Sequence, residues 1–356
     1  MVRRVLGSEQ APGVALLVAT VAALVWANCA DHSYGSWWRI EFGWPRAGLR
    51  MDARHWADDA LMTIFFFVIG LELKYELARG SLARPRRALV PVFAAIGGAV
   101  VPAVTFLAIT WGTDAASGWG IPMATDPAFA VGVLAVLVIA FGYARGVAWG
   151  WLAGAAAGCL LVVLLRRIGV TAVWAYLPVG VLVWFATLHS GVHATLAGVA
   201  LALLTPAGPV AGRRVLAELL RVAGPASAFV AVPIFALANA GVVVDPSALS
   251  RAAQAPVTWA VLVALLGGKL LGVTGAIAIA VGGRFGQLPA GVRPAHVLGL
   301  GCIAGLGFTV ALLVTNLAYT DVAMIQDAKI AIFTASLVAT VAAAATFTVT
   351  GRRTGR

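Results

Sequence analysis

From Ala115 to Ala144 the chain carries a single charge, Asp126. Apolar runs of this kind recur along its whole length, many of them long enough to cross a bilayer. In hydrocarbon every backbone polar group must be satisfied within the chain, so only helices and closed barrels can span. The period-two alternation of a barrel strand is absent, which leaves helices. Composition agrees: 61% of residues are hydrophobic, 11% are charged and the mean hydropathy is +0.95. A soluble globule carries about a quarter charged residues. The sequence therefore predicts an all-α polytopic membrane protein, with residues 1–356 forming one integral membrane domain.

The net charge of +11 does not point to nucleic acid. The arginines sit in short loops between apolar runs, where the positive-inside bias places them. The three cysteines, Cys29, Cys159 and Cys302, lack metal-ligand spacing and read as small buried packing residues. The opening MVRR and its apolar run read as an uncleaved first helix, with a signal peptide ending near Ala30 as the alternative.

The candidate spans are 12–29, 59–77, 88–111, 120–143, 147–165, 172–188, 192–204, 224–244, 257–282, 295–319 and 328–350, eleven in all. A polar connection rich in Trp and Arg fills the gap up to about residue 57. The basic connection from Lys74 to Arg87 is expected in the cytoplasm, as are Arg3 and Arg4, Arg166 and Arg167, Arg213 to Arg221, Arg284 to Arg293, and the C-terminal arginines. Residues 112–119 then fall outside. Between there and Arg166 an odd number of crossings is needed, yet two spans are counted. The conflict falls on the segment that contains Asp126.

An ionised carboxylate at membrane depth faces protein or water and marks a functional site. Pro127 follows Asp126 directly, and proline biases the residue before it away from helix. Two half-helices with an unwound joint at Thr125-Asp126-Pro127 are expected, the kind of joint that lines a transporter cavity. A second break is expected within 299–311, where Gly299, Gly301, Gly305 and Gly307 crowd nine residues; close packing of helices through small residues is the alternative. Lys269 is the only charge between Arg251 and Arg284 and sits in mid-span. Its natural partner is Asp126, either as part of an ion site or to neutralise half-helix dipoles at a crossing.

Other ionisable residues admit two readings. Asp58 and Asp59 open the second span, as helix caps or as the mouth of a funnel. Glu72, Lys74 and Glu76 at its far end form a solvated face or a pH-responsive cluster. His189 and His193 lack further ligands for a metal pair, and no metal or cofactor is expected. Asp327 and Lys329 read as the start of the last span. No catalytic motif has a credible context, so an enzyme is not expected; ion or proton movement remains.

These residues resemble the NhaA-type sodium/proton antiporter family. The likeness rests on DDALMTIFFFVIGLELKYEL ending at Leu77, ARGSLARPRRALVPVFAAIGG (78–98), GWGIPMATDPAFAVGVLA (118–135) and HSGVHATLAG (189–198). It continues in VPIFALANAG (232–241), GGKLLG (267–272) and GCIAGLGFTVALL (301–313). The resemblance implies an inverted-repeat fold with two discontinuous crossed helices, twelve in the family and about eleven here. It implies exchange of Na⁺ or Li⁺ for protons in the bacterial inner membrane, often as a homodimer, with no cofactor. Thr125 and Asp126 fall on the Thr-Asp of the family's first broken helix, Lys269 on its intramembrane lysine, and 301–310 on its second broken helix. Glu72, Lys74 and Glu76 match its pH-response cluster, and Asp59 matches an acidic residue opening the second span.

One feature departs from the family. Its members carry two adjacent aspartates in the span after the first broken helix, and no such pair follows residue 59 here. The chain passes from GVLA (132–135) straight into VLVIAFGYARG (136–146), as though roughly 30 residues, one helix with its loop, were missing. Such a loss accounts for the topology conflict and fuses the first broken helix to a remnant of the next span over 120–143. Hard cations favour several carboxylate oxygens, so exchange is expected to be impaired. The alternatives are a non-transporting or decayed homologue, or a transporter of protons or another cation through an altered site.

Overall fold

The computed structural model describes residues 10–29, 33–80, 85–124, 138–139, 142–144, 146–170, 172–210, 212–288 and 292–352. In chain order the helices are α1 Ala11–Cys29 and the short α2 Ser33–Trp38, followed by a hairpin of β1 Glu41–Trp44 and β2 Leu49–Asp52. A single turn, Ala53–His55, and a π-wound stretch, Trp56–Leu61, lead into α3 Met62–Arg79. Next come α4 Pro85–Thr110, a 3₁₀ segment Asp114–Met123, α5 Trp149–Arg167, α6 Tyr176–His189 and α7 Thr195–Leu204. Then α8 Val215–Asn239 and α10 Pro256–Gly282 flank the short α9 Pro246–Gln254. The chain ends with α11 Pro294–Ala304, α12 Thr309–Ala318 and α13 Val322–Arg352.

Among the described residues six helices are long and apolar enough to cross a membrane (α1, α4, α5, α8, α10 and α13), and the bent pair α11–α12 makes seven if it is counted as one span. The helix α3 falls short only because Glu72, Lys74, Glu76 and Arg79 occupy its end, while α6 and α7 are apolar but short. The expected span 120–143 lies mostly outside the described residues. Exposed side chains carry the membrane reading further. Leu17, Val18, Leu160, Leu271 and Leu337 are each more than 60% exposed, a surface that suits acyl chains and would be a liability in water. Trp111, Trp149 and Trp174, exposed by 75% or more, sit where helices end or begin, the position of interfacial aromatic belts. This is a multi-pass helical membrane protein.

The chain divides into two compact units, one built from 1–78 and 140–241, the other from 79–139 and 242–356. In the first, Gly70 and Gly198 bring α3 and α7 into contact: a Cβ on Gly198 would stand 2.3 Å from Thr63 O, and one on Gly70 2.6 Å from Ala202 Cβ. In the second, α4 and α10 cross backbone to backbone. A Cβ at Gly97 would meet Gly272 O at 2.2 Å, and one at Gly272 would meet Gly97 O at 2.3 Å.

Several expectations need correction. The polar connection expected after α1 contains a hairpin. Glu41, Phe42, Gly43 and Trp44 pair antiparallel with Asp52, Met51, Arg50 and Leu49, and Gly48 supplies the left-handed turn (φ +67°). The span expected at 224–244 begins at Val215, because Arg221 lies on an amphipathic first stretch rather than in a loop, and it ends at Asn239. The last span begins at Val322, with Asp321 accepting from Ala323 N and Met324 N as its cap. Asp327 and Lys329 are therefore inside α13 and buried. None of the cysteines is fully buried; Cys29 is exposed. A lipid-facing surface does not require small apolar residues to hide.

Candidate functional site

Lys269 stands in α10 immediately after a π-wound turn, Ala264–Gly268. It is fully buried, and Nζ donates to Met123 O at 2.9 Å. A buried ammonium is costly unless its donors are met. Met123 closes the 3₁₀ segment, after which Ala124 turns extended (ψ 127°). Carbonyls at the end of a helical segment carry partial negative charge, and a cation placed there is stabilised. The preceding Gly268 is required for approach, since a Cβ there would come within 2.9 Å of Pro102 Cα on α4.

The segment expected to begin an α half-helix at 120 is instead 3₁₀-wound from Asp114 to Met123. Gly118 and Gly120 are poor α-formers, and Pro122 removes a donor. The joint itself, Thr125, Asp126 and Pro127, lies outside the described residues, and so does the expected pairing of Asp126 with Lys269. Within 299–311 the chain leaves helix between Ala304 and Thr309, and α11 and α12 meet at a 43° bend. Gly305 lies close to α10, where a Cβ would stand 2.7 Å from Leu265 O. Gly307 O, in the break, accepts from Ser336 Oγ of α13 at 3.4 Å. Freed backbone groups at membrane depth need such partners.

In the other unit Asp58 and Asp59 do not cap a helix. The helical run starts at Ala53 with Asp52 as its cap, accepting from His55 N at 2.7 Å. Asp58 and Asp59 fall in the π-wound turn. Asn239 Nδ2 donates to Asp58 Oδ1 at 2.6 Å. His193 Nε2 lies 3.6 Å from Asp59 Oδ1, while its Nδ1 is 2.7 Å from Thr195 Oγ1. The Asp59 carbonyl accepts from Thr63 Oγ1 and from Trp184 Nε1. His189 is used differently from His193: its ring packs on Trp151 and Phe185, and Nδ1 is 2.9 Å from Phe185 O. The two histidines therefore do not act as a pair. Among the described residues no group of three or more His, Cys, Asp or Glu is placed to hold a metal.

At the other end of α3, Lys74 Nζ donates to Leu203 O, and Arg166 Nη1 donates to Leu204 O at 3.2 Å. Two cations from α3 and α5 thus meet the last carbonyls of α7, the favoured sign for a helix C-terminus. Glu72 is exposed and Glu76 half-buried. Sequence reasoning missed several contacts. Asn239, a polar residue in the apolar run VPIFALANAG, was a visible signal. Asp327 was visible as a charge but misread as a helix start; it is buried and accepts from Arg251 Nε at 3.2 Å. The carbonyls of Met123 and Leu203 left no signal, since every residue has one.

The family model described as Na⁺/H⁺ antiporter 1 matches residues 3–137 and 133–347. The match is in two pieces that meet at 133–137, where the sequence suggests a missing span. A protein of Acidovorax sp. named Na(+)/H(+) antiporter NhaA is 40% identical over 374 residues, covering 94% of this chain and 89% of the relative. Proteins of the same name from Oleidesulfovibrio alaskensis (37% identical, 95% and 91% covered) and Cytophaga hutchinsonii (38%, 95% and 92%) are similar to the same extent. The Acidovorax alignment is longer than the 356 residues of this chain, so that relative contains residues with no counterpart here.

Proposed function

This chain belongs to the Na⁺/H⁺ antiporter 1 family, and we propose that it exchanges Na⁺ for protons across a membrane. Li⁺ is a second cargo for the same oxygen ligands. The observation that carries this reading is the fully buried ammonium of Lys269 on the Met123 carbonyl, three residues before the lone carboxylate of its span. Thr125, Asp126 and Lys269 form the ion and proton site in this reading, and Pro127, Gly305 and Gly307 keep the backbone open around it. A cation that binds Asp126 competes with the proton on that carboxylate, which is the minimum requirement for exchange. The membrane is the inner one of a bacterium: the relatives are bacterial, and helical spans belong there rather than in an outer membrane of barrels.

The divided family match supports a second element of the proposal. With the acidic pair absent, Asp126 lacks its usual companions, and exchange is slower than in relatives that keep them. Glu72, Lys74 and Glu76 tune the response to pH from the far end of α3. Purified chain in proteoliposomes, with a pH gradient dissipated by added Na⁺ or Li⁺, tests the reading. Measurable cation-driven dissipation is expected, abolished by Asp126→Asn and strongly reduced by Lys269→Ala. Absence of exchange in the parent chain, or exchange indifferent to Asp126→Asn, would overturn it.

A further inference from the structure

Tyr319 closes α12. Its N–H bonds Thr315 O at 3.1 Å, its side chain is buried, and Oη donates to Ala115 O at 2.8 Å. Ala115 is the second residue of the 3₁₀ segment. One turn further on, Gly118 lies under the same ring, where a Cβ would stand 2.0 Å from Oη and 2.6 Å from Cζ. The ring therefore requires a glycine at 118. At the far end of the segment Lys269 grips Met123 O. Runs of 3₁₀ longer than about four residues are uncommon because their hydrogen bonds are poor. A ten-residue run needs holding from outside.

We propose that Tyr319 is a positioning residue for ion exchange. By binding Ala115 it fixes the 3₁₀ segment against the exit of the second broken span. It thereby fixes, at the far end of the segment, the Met123 carbonyl on which the buried Lys269 ammonium rests. The inference rests on the exchange reading above. It joins the bend between α11 and α12 to Lys269: a shift of α12 pulls on Ala115, and through the segment on the carbonyl that Lys269 binds.

Tyr319→Phe keeps the ring and removes only Oη. In proteoliposomes it raises KM for Na⁺ about three- to tenfold, the worth of one buried hydrogen bond, while maximal rate and yield stay close to those of the parent and the thermal midpoint falls only slightly. In nanodiscs, amide hydrogen exchange across 114–124 quickens by a similar factor. Gly118→Ala, which pushes the ring from its seat, reproduces the raised KM, and adding it to Tyr319→Phe changes KM little further. An unchanged KM in Tyr319→Phe overturns the proposal even if amide exchange quickens, since Tyr319 would then be a structural tie only. Unchanged amide exchange overturns it as well. If the parent chain moves no ions, the exchange reading fails, and the amide measurement still decides whether Tyr319 anchors the segment.

Discussion

A tyrosine hydroxyl can serve several backbone groups at once, and Tyr34 does so at the end of α8. Its Oη donates toward Ala238 O (2.7 Å) and Leu237 O (2.9 Å) and accepts from Gly241 N–H (3.1 Å). Burial pushes its phenol above the ordinary range, so it remains a donor. A Cβ on Gly241 would stand 2.2 Å from Tyr34 Cζ. Gly241→Ala is therefore expected to cost about 1–3 kcal/mol, read as a lower thermal midpoint in detergent. His55 offers a pH test. Burial lowers its pKa, but the Asp52 hydrogen bond and the charges of Asp52, Asp59 and Asp58 outweigh this and raise it. A raised folded-state pKa gives stability that is fully present below the unfolded value, about 6.5, and lost as pH rises through the folded value. His55→Gln should therefore lower the thermal midpoint below about pH 6.5 and leave it unchanged at pH 8. At this scale the sequence revealed what a letter can carry. Lys269 stood out because a charge in an apolar run is conspicuous. Its bond to Met123 O, and the approach of His193 to Asp59, arise from contacts over 100 residues apart that no local pattern records.

Helices in this chain are shaped by small residues and by extra ones. The α4–α10 crossing leaves no room for a methyl at Gly97 or Gly272, so Gly97→Val is expected to cost about 1–3 kcal/mol or more. The measurement is loss of monodisperse protein on size-exclusion chromatography. Arg251 and Asp327 tie α9 to α13. Asp327→Ala leaves a partly exposed arginine without that partner, and its smaller cost, about 1 kcal/mol, should appear in the thermal midpoint. Among the described residues three helical runs contain π turns, at Trp56–Leu61, Ser227–Ala231 and Ala264–Gly268. The first contains Asp59 and the last precedes Lys269. Such windings have no compositional signature, so the continuity of α8 and α10 was legible while their internal twist was not. Glycines did announce the interruption between α11 and α12. They misled at 120–123, where a half-helix is expected and the chain is 3₁₀-wound instead.

For the molecule as a whole, the charge conflict between residue 119 and Arg166 brackets 133–137, where the two pieces of the family match meet. Restoring the family's acidic span between Ala135 and Val136 should restore the odd number of crossings between residue 119 and Arg166. It should also raise exchange about tenfold, equivalent to roughly 1.4 kcal/mol of cation affinity, in the same proteoliposome assay. The helical membrane class was legible from hydropathy alone because bilayer thickness sets span length. The division into two units was not, since each draws on two separated stretches of chain. That division bears on where the chain can change length. The chain passes from one unit to the other between residues 139 and 140, a few positions beyond the suspected excision. A change of chain length there falls beside the point where one unit's stretch of sequence ends and the other's begins. Each unit is built from a first and a second stretch of chain, so inserting or removing residues at that junction lengthens or shortens the link between stretches rather than a contact within either.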